Sequence, residues 1–160
     1  MDQYEDPVKL AKFLALEKGR FIAHKFPKSI IISADTFVTI DKQKIGKPNT
    51  IKEAKEIIKR MSNHHVKVHS GIAVIKTSQS GKITREKSEH VVTKVSFIRI
   101  PDKDINHIIK TDEVLSKSGA FSIEGEGGKF VDTIEGDYHN VIGLPLFQLK
   151  KMLKDAGVKI

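Results

Sequence analysis

The sequence predicts a mixed α/β (α+β) domain, with a central mixed, twisted sheet flanked by helices. Segments with apolar residues at helical spacing alternate along the chain with short runs rich in valine and isoleucine. Cap and turn residues fall between them. No internal repeat, low-complexity tract or linker divides the 160 residues. The chain therefore reads as one domain over residues 1–160, long enough to bury a core.

Asp6-Pro7 is an N-cap followed by proline in the first helical turn. From Val8 to Phe26 the apolar residues recur at helical spacing: Val8, Ala11, Leu14, Ala15, Phe21 and Ile22. Projected at about 100° per residue, Lys18 falls in the middle of that stripe. A lysine there either snorkels to water or serves a buried anionic site, and its central place favours the second. A strand over Ser29–Ala34 follows, then another near Phe37–Ile40. Asp35 stands at the end of the first, where a carboxylate costs free energy unless something pairs with it or uses it. Asp41-Lys42 makes a polar turn. Thr50 and Glu53 form a capping box that starts a helix to about Met61. Val66–Thr77 alternates, and "SQSGK" connects it to a long strand over roughly Ile83–Ile100, making a hairpin. Pro101-Asp102 opens a short helix through Ile109, a glycine-rich stretch follows, and Pro145–Ala156 closes the chain as a helix.

Composition narrows the function classes. Hydrophobic residues at 39% and charged residues at 30% exclude a disordered chain. No apolar run approaches membrane-spanning length and no signal-peptide pattern opens the chain, so no membrane partner is expected. Zero cysteines exclude disulfides and thiolate metal sites and fit a cytoplasmic location. The net charge is +8, yet only four of the 28 basic residues are arginine: Arg20, Arg60, Arg85 and Arg99. Lysine is a hydrated point charge, whereas arginine is the preferred fork for phosphate and base edges. Aromatics at 6%, with no Trp, offer no stacking platform, so nucleic acid is disfavoured as a partner.

His65 and His69 have H-x-x-x-H spacing, but in a strand those positions lie too far apart to share a metal easily, which favours a structural or surface place for them. The chain has no Walker loop, no G-x-G-x-x-G after a strand and no G-x-S-x-G elbow. What remains is Asp35, Lys18, Lys47 in a turn, and Glu124 and Glu126 among glycines. Acids and lysines converging at strand ends suit a divalent metal and a polyphosphate, with a carboxylate to activate water.

Several ordered segments then resemble one family. "SADTFVTIDKQKIGKP", followed by a helix and "HHVKVHSGIAVI", is similar to the A-D-T-x-V, G-K-P and G-x-x-H-x-V-x-T-G segments of the Maf nucleoside triphosphate pyrophosphatases. "TKVSF" resembles the family's T-x-V-x-F strand. "SGAFSIEGEGGKFVDTIEGDYHNVIGLP" resembles its A-G-A-Y-x-I-Q-G and I-x-G-x-Y-x-N-V-x-G-L-P signatures. The likeness runs from about Asp6 to Leu153.

The resemblance implies a single Maf/ITPase-like domain, with a cleft along the sheet and a homodimer. It implies hydrolysis of a nucleoside triphosphate between the α and β phosphates, giving the monophosphate and pyrophosphate with a divalent cation, Mg or Mn. Asp35 takes the place of the catalytic aspartate, as general base and metal contact. Lys18, in "LALEKG", and Lys47, in "GKP", take the places of lysines that hold phosphate oxygens. Thr36 and Glu124 occupy positions linked to base selection. Thr36 resembles the dTTP/UTP subgroup and Glu124 the 7-methyl-GTP subgroup, while the tail "IEGDYHNVIGLP" leans towards the first. Family members also open with a strand carrying S-x-S-P-R-R, a motif not found in these 160 residues. Its arginines share the phosphates, so the expectation is a weakened phosphate site, an exposed sheet edge and self-association. Behind the pyrophosphatase reading stand two others: a catalytically impaired scaffold or nucleotide-binding domain, and a basic nucleic-acid-binding protein.

Overall fold

The computed structural model describes residues 6–111 and 114–160. Five strands form one sheet in the order β2-β1-β3-β4-β5: β1 Ile30–Ile40, β2 Gln43–Ile45, β3 His65–Thr77, β4 Ile83–Phe97 and β5 Val131–Glu135. The helices are α1 Pro7–Ala23, α2 Ile51–Met61, α3 Asp102–Ile108, α4 Tyr138–Val141 and α5 Leu146–Asp155. The mixed α/β class stands, and the strands run antiparallel. Tight connections account for that direction: Asp41 and Lys42 both take positive φ, 50° and 67°, the geometry of a two-residue hairpin turn joining β1 to β2.

Contacts divide the chain into two compact units. One holds residues up to Thr36, His69–Val91 and Gly143–Ile160; the other holds Phe37–Val68 and Val92–Ile142.

In the first unit α1 begins as its sequence predicts, with the Asp6 carboxylate accepting from the Val8 amide at 2.9 Å. Of the predicted stripe Ala11 and Ala15 are buried and Ile22 packs on a core, but Val8 and Phe21 are exposed. Leu10, Ala11, Ala15, Gly19 and Ala23 are buried, whereas Phe21 is 72% exposed. The reason is closeness of approach. A Cβ on Gly71 of β3 would lie 1.8 Å from the Ala11 carbonyl oxygen, and one on Gly19 would lie 2.6 Å from Ser33 Oγ. Backbones that near leave room only for small side chains, so large apolar residues point elsewhere. Ala23, Ile31 and Ile75 form one small core with Leu16 and Ile22. Ile72 and Val74 form another with Leu149 and Met152 of α5.

The second unit has the larger core. The buried side of α2 supplies Ala54, Ile57, Ile58 and Met61, which join Val38, Ile40, Val95 and Phe97 from the strands and Ile105 and Ile108 from α3. The Thr50 hydroxyl accepts from the Glu53 amide at 3.1 Å, as the capping signal requires, but the Glu53 carboxylate reaches back to the Asn49 amide at 2.8 Å.

Two expectations about the strands change. The two strands expected over Ser29–Ala34 and Phe37–Ile40 are one continuous strand, which puts Asp35 in mid-strand. β3 is buried continuously from Val68 to Ile75, covered on both faces, so the polar–apolar alternation expected of it ends early. β2, β5 and α4 carry too little periodicity to be read from sequence.

Candidate active site

β1 carries the central carboxylate. Successive residues of a strand face opposite sides of the sheet, and the contacts along β1 follow that rule. Ile31 packs with Ala23 of α1, Ser33 Oγ donates to the Ala15 carbonyl at 2.6 Å, and Asp35 accepts from Lys18 Nζ, all on the α1 side. Lys18 also lies 3.5 Å from the Ala34 carbonyl oxygen. Its side chain is 57% exposed against 19% for Asp35. Lys18 is thus at the edge of the buried face rather than at its centre, because the alanines and glycine next to it make the close contact. The sequence expectation of a buried anionic site gives way to a half-open one, where a lysine touches a partly sheltered carboxylate and keeps access to solvent. An ion pair so exposed adds little to stability. What it does is hold an acceptor and a solvent-accessible cation side by side.

Thr36 is the next residue and faces the other way. Its Oγ1 is 2.7 Å from Ser70 Oγ on β3 and 3.3 Å from the Gly143 carbonyl oxygen. Ser70 is fully buried, and Gly143 takes φ +110°, a conformation that favours glycine. The threonine hydroxyl therefore braces the turn ahead of α5. Asp35 and Thr36 serve opposite faces of one strand.

The arginines of this unit are engaged elsewhere. Arg20 pairs with Glu86 and Glu17, and Arg85 donates to the Asp155 carbonyl at 2.7 Å. The Glu86 hydrogen bond raises the Arg20 pKa, and Arg20 in turn holds the Glu86 carboxyl below its usual range. His69 Nδ1 and His90 Nε2 are 3.0 Å apart, so one ring donates and the other accepts.

Lys47 and Glu124 belong to the second unit. Lys47 is exposed in the loop between β2 and α2. Glu124 is exposed in a turn and lines a cleft of about 700 Å³ with Ser122, Thr111 and Glu126. The structure thus brings Lys18 to Asp35 and places Thr36 next in chain but on the opposite face, with Lys47 and Glu124 in the other unit. Sequence reasoning passed over Ser33, Ser70 and Gly143. Only their alternation around Asp35 and the serine–glycine pair in β3 hinted at them.

Among the described residues no group of three or more His, Cys, Asp or Glu side chains could hold a metal ion. The donor set at Asp35 is a single carboxylate, which suits a cation that takes its other ligands from phosphate oxygens and water.

A family model described as Maf-like protein matches residues 1–156. The chain is 46% identical over 145 residues to a dTTP/UTP pyrophosphatase of Clostridium beijerinckii, covering 90% of this chain and 75% of that protein. It is 40% identical over 144 residues to one of Methanosarcina barkeri, covering 90% and 71%. A third, from Dictyoglomus turgidum, is 37% identical over 154 residues, covering 96% and 78%.

Proposed function

The chain belongs to the Maf family, and from that premise we propose that it is a nucleoside triphosphate pyrophosphatase acting on dTTP and UTP. Water is added across the anhydride between the α and β phosphates, and pyrophosphate leaves from the nucleoside monophosphate. The observation that carries the reading is the Lys18–Asp35 pair, a sheltered carboxylate with a solvent-accessible cation on it. Asp35 accepts the proton of the attacking water as general base, a role typically contributing about 10²–10⁴-fold. An ammonium has three donors; those turned to Asp35 and Ala34 leave a third for a phosphate oxygen. Transfer of Lys18 towards the incoming phosphate frees the carboxylate for the water. Lys47, in the other unit, keeps the phosphate-binding role only as the family resemblance implies it. A divalent cation, Mg or Mn, would be held by Asp35 and the phosphate oxygens and would offset phosphate charge.

The relatives' printed names support dTTP and UTP as substrates. In this reading Thr36 acts on base choice through the turn it braces, while Glu124, in the other unit, keeps that role only as the family resemblance implies it. A cytoplasmic location is supported by the absence of cysteine and by the nucleotide substrate. No helix among the described residues is long and apolar enough to cross a membrane. Homodimerisation has support from two exposed rings, Phe21 at 72% and Phe147 at 81%. One observation favours a second reading, nucleotide binding without turnover: both arginines of the Asp35 unit are already paired.

A pyrophosphate-release assay over a nucleotide panel, with and without divalent cation, separates the two. Release of pyrophosphate from dTTP and UTP in preference to the purine triphosphates is expected. Binding with no release supports the second reading, and orthophosphate as first product overturns the first.

A further inference from the structure

The Lys18–Asp35 pair joins two elements, and the contact that sets their spacing lies beneath it. Ser33 is two residues before Asp35 and faces the same side of β1. Its Oγ donates to the Ala15 carbonyl at 2.6 Å. That carbonyl already accepts, as in any α-helix, from the amide four residues on, here Gly19. A carbonyl has two lone pairs, so the serine adds a second bond without displacing the first. Lys18 leaves the helix three residues after Ala15.

The rest of the contact is small and apolar. Ala11 and Ala15 are fully buried, and a Cβ on Gly19 would fall 2.6 Å from Ser33 Oγ and 2.8 Å from Ile75 Cδ1. Apolar contact is non-directional. It presses the helix against the sheet but does not define where along the sheet each residue stops. A hydrogen bond loses strength steeply when bent, so the Ser33–Ala15 bond gives direction to this interface beneath the solvent-accessible Lys18 contacts.

We propose that Ser33 is a positioning residue for the reaction. By clamping the Ala15 carbonyl it fixes the height and register of α1 on β1. That holds the root of Lys18 where its ammonium reaches Asp35 and can pass from it to the incoming phosphate. The inference rests on the pyrophosphatase reading of Lys18 and Asp35, and Ser33 acts through Lys18 and not on the reacting atoms.

The test is a double-mutant cycle in kcat/KM for pyrophosphate release, using Ser33→Ala, Lys18→Ala and the pair, with Tm recorded for each. Ser33→Ala should lower kcat/KM about tenfold, inside the roughly hundredfold that a misplacement of about 1 Å costs. In the Lys18→Ala background the same change should add no more than about a twofold effect. If the two losses multiply, the serine acts on the fold and not through the lysine, and the proposal is overturned. Unchanged kcat/KM in Ser33→Ala overturns it as well. Should Ser33→Ala fail to fold, Ser33→Cys replaces it: similar in size, a weaker donor, with a smaller loss and the same dependence on Lys18. Failure of the underlying reading looks different. There the wild-type protein releases no pyrophosphate, or Lys18→Ala leaves turnover intact.

Discussion

Asp35 is the residue on which the chemistry depends. It sits in mid-strand, sheltered, and paired with a lysine from another element. Asp35→Asn keeps the shape and a polar head but abolishes the base. Turnover of dTTP or UTP should fall by about 10²–10⁴-fold, with the far-ultraviolet circular dichroism unchanged. An Asn variant that keeps its turnover removes Asp35 from the mechanism. The lysines make a second comparison at this scale. Lys18→Ala and Lys47→Ala should each weaken nucleotide binding several-fold more than removal of Lys150 and Lys151, which lie on α5 away from Asp35's face of the sheet. Charges that meet a phosphate directly are desolvated by it, whereas exposed ones are screened over about 8–10 Å by salt. Isothermal titration at two salt concentrations reads the difference. Equal losses at all four positions, with steep salt dependence and tight duplex binding, point to nucleic acid instead.

At the scale of elements, α1 and α2 are held by different physics. α2 is an amphipathic helix with a side-chain cap, and both features are local in sequence. Thr50→Ala should cost about 1 kcal/mol and leave kcat/KM unchanged. α1 depends instead on what β3 lacks. Gly71→Ala would set a methyl carbon 1.8 Å from a backbone oxygen of Ala11, which cannot swing aside as a side chain can. The helix must lift, and overpacking of this kind typically costs about 1–3 kcal/mol or more. Urea unfolding measures both variants, and the assay separates them: Gly71→Ala should lose activity along with stability, because Lys18 rides on the helix that lifts. A Gly71→Ala protein as stable and active as wild type would mean that α1 does not sit so close.

For the whole molecule, stability should depend on pH through a half-buried histidine. His90 has its pKa lowered below the usual 6.5, chiefly by burial, with Asp6 opposing and Lys12 reinforcing the shift. Its partner is His69 across a 3.0 Å hydrogen bond, which needs at least one neutral ring. The sign follows. Below about pH 6.5 the unfolded chain takes up a proton on this residue that the folded chain refuses, so the unfolded state binds more protons there. Stability is full above that pH and is lost as the pH falls through the folded-state value. Denaturation midpoints in urea should drop between pH 7.5 and 5.5, and His90→Gln should flatten that part of the drop. A midpoint as pH-dependent in His90→Gln as in wild type would place the effect on other groups.

The sequence by itself determined the fold class, most of the long helices and strands, and the identity of the residues that could do chemistry. Those properties are written in short-range patterns. Asp6-Pro7 and Thr50-x-x-Glu53 start helices through bonds a few residues long, and a carboxylate within an apolar run is conspicuous wherever the run ends up. The family resemblance added the roles. Only the tertiary structure decided how α1 meets the sheet. Read along the chain, Val8 and Phe21 share one stripe with Ala11 and Ala15, and Gly19 is left out of it, because burial is expected to scale with apolar area. In the fold the small residues win, since Gly71 and Ser33 draw the backbone too close for anything larger. The same closeness moves Lys18 from the centre of a supposed apolar face to its rim, where a cation can hold Asp35 and still reach solvent. Contacts of that kind join residues tens of positions apart, and no local pattern records the distance between two backbones.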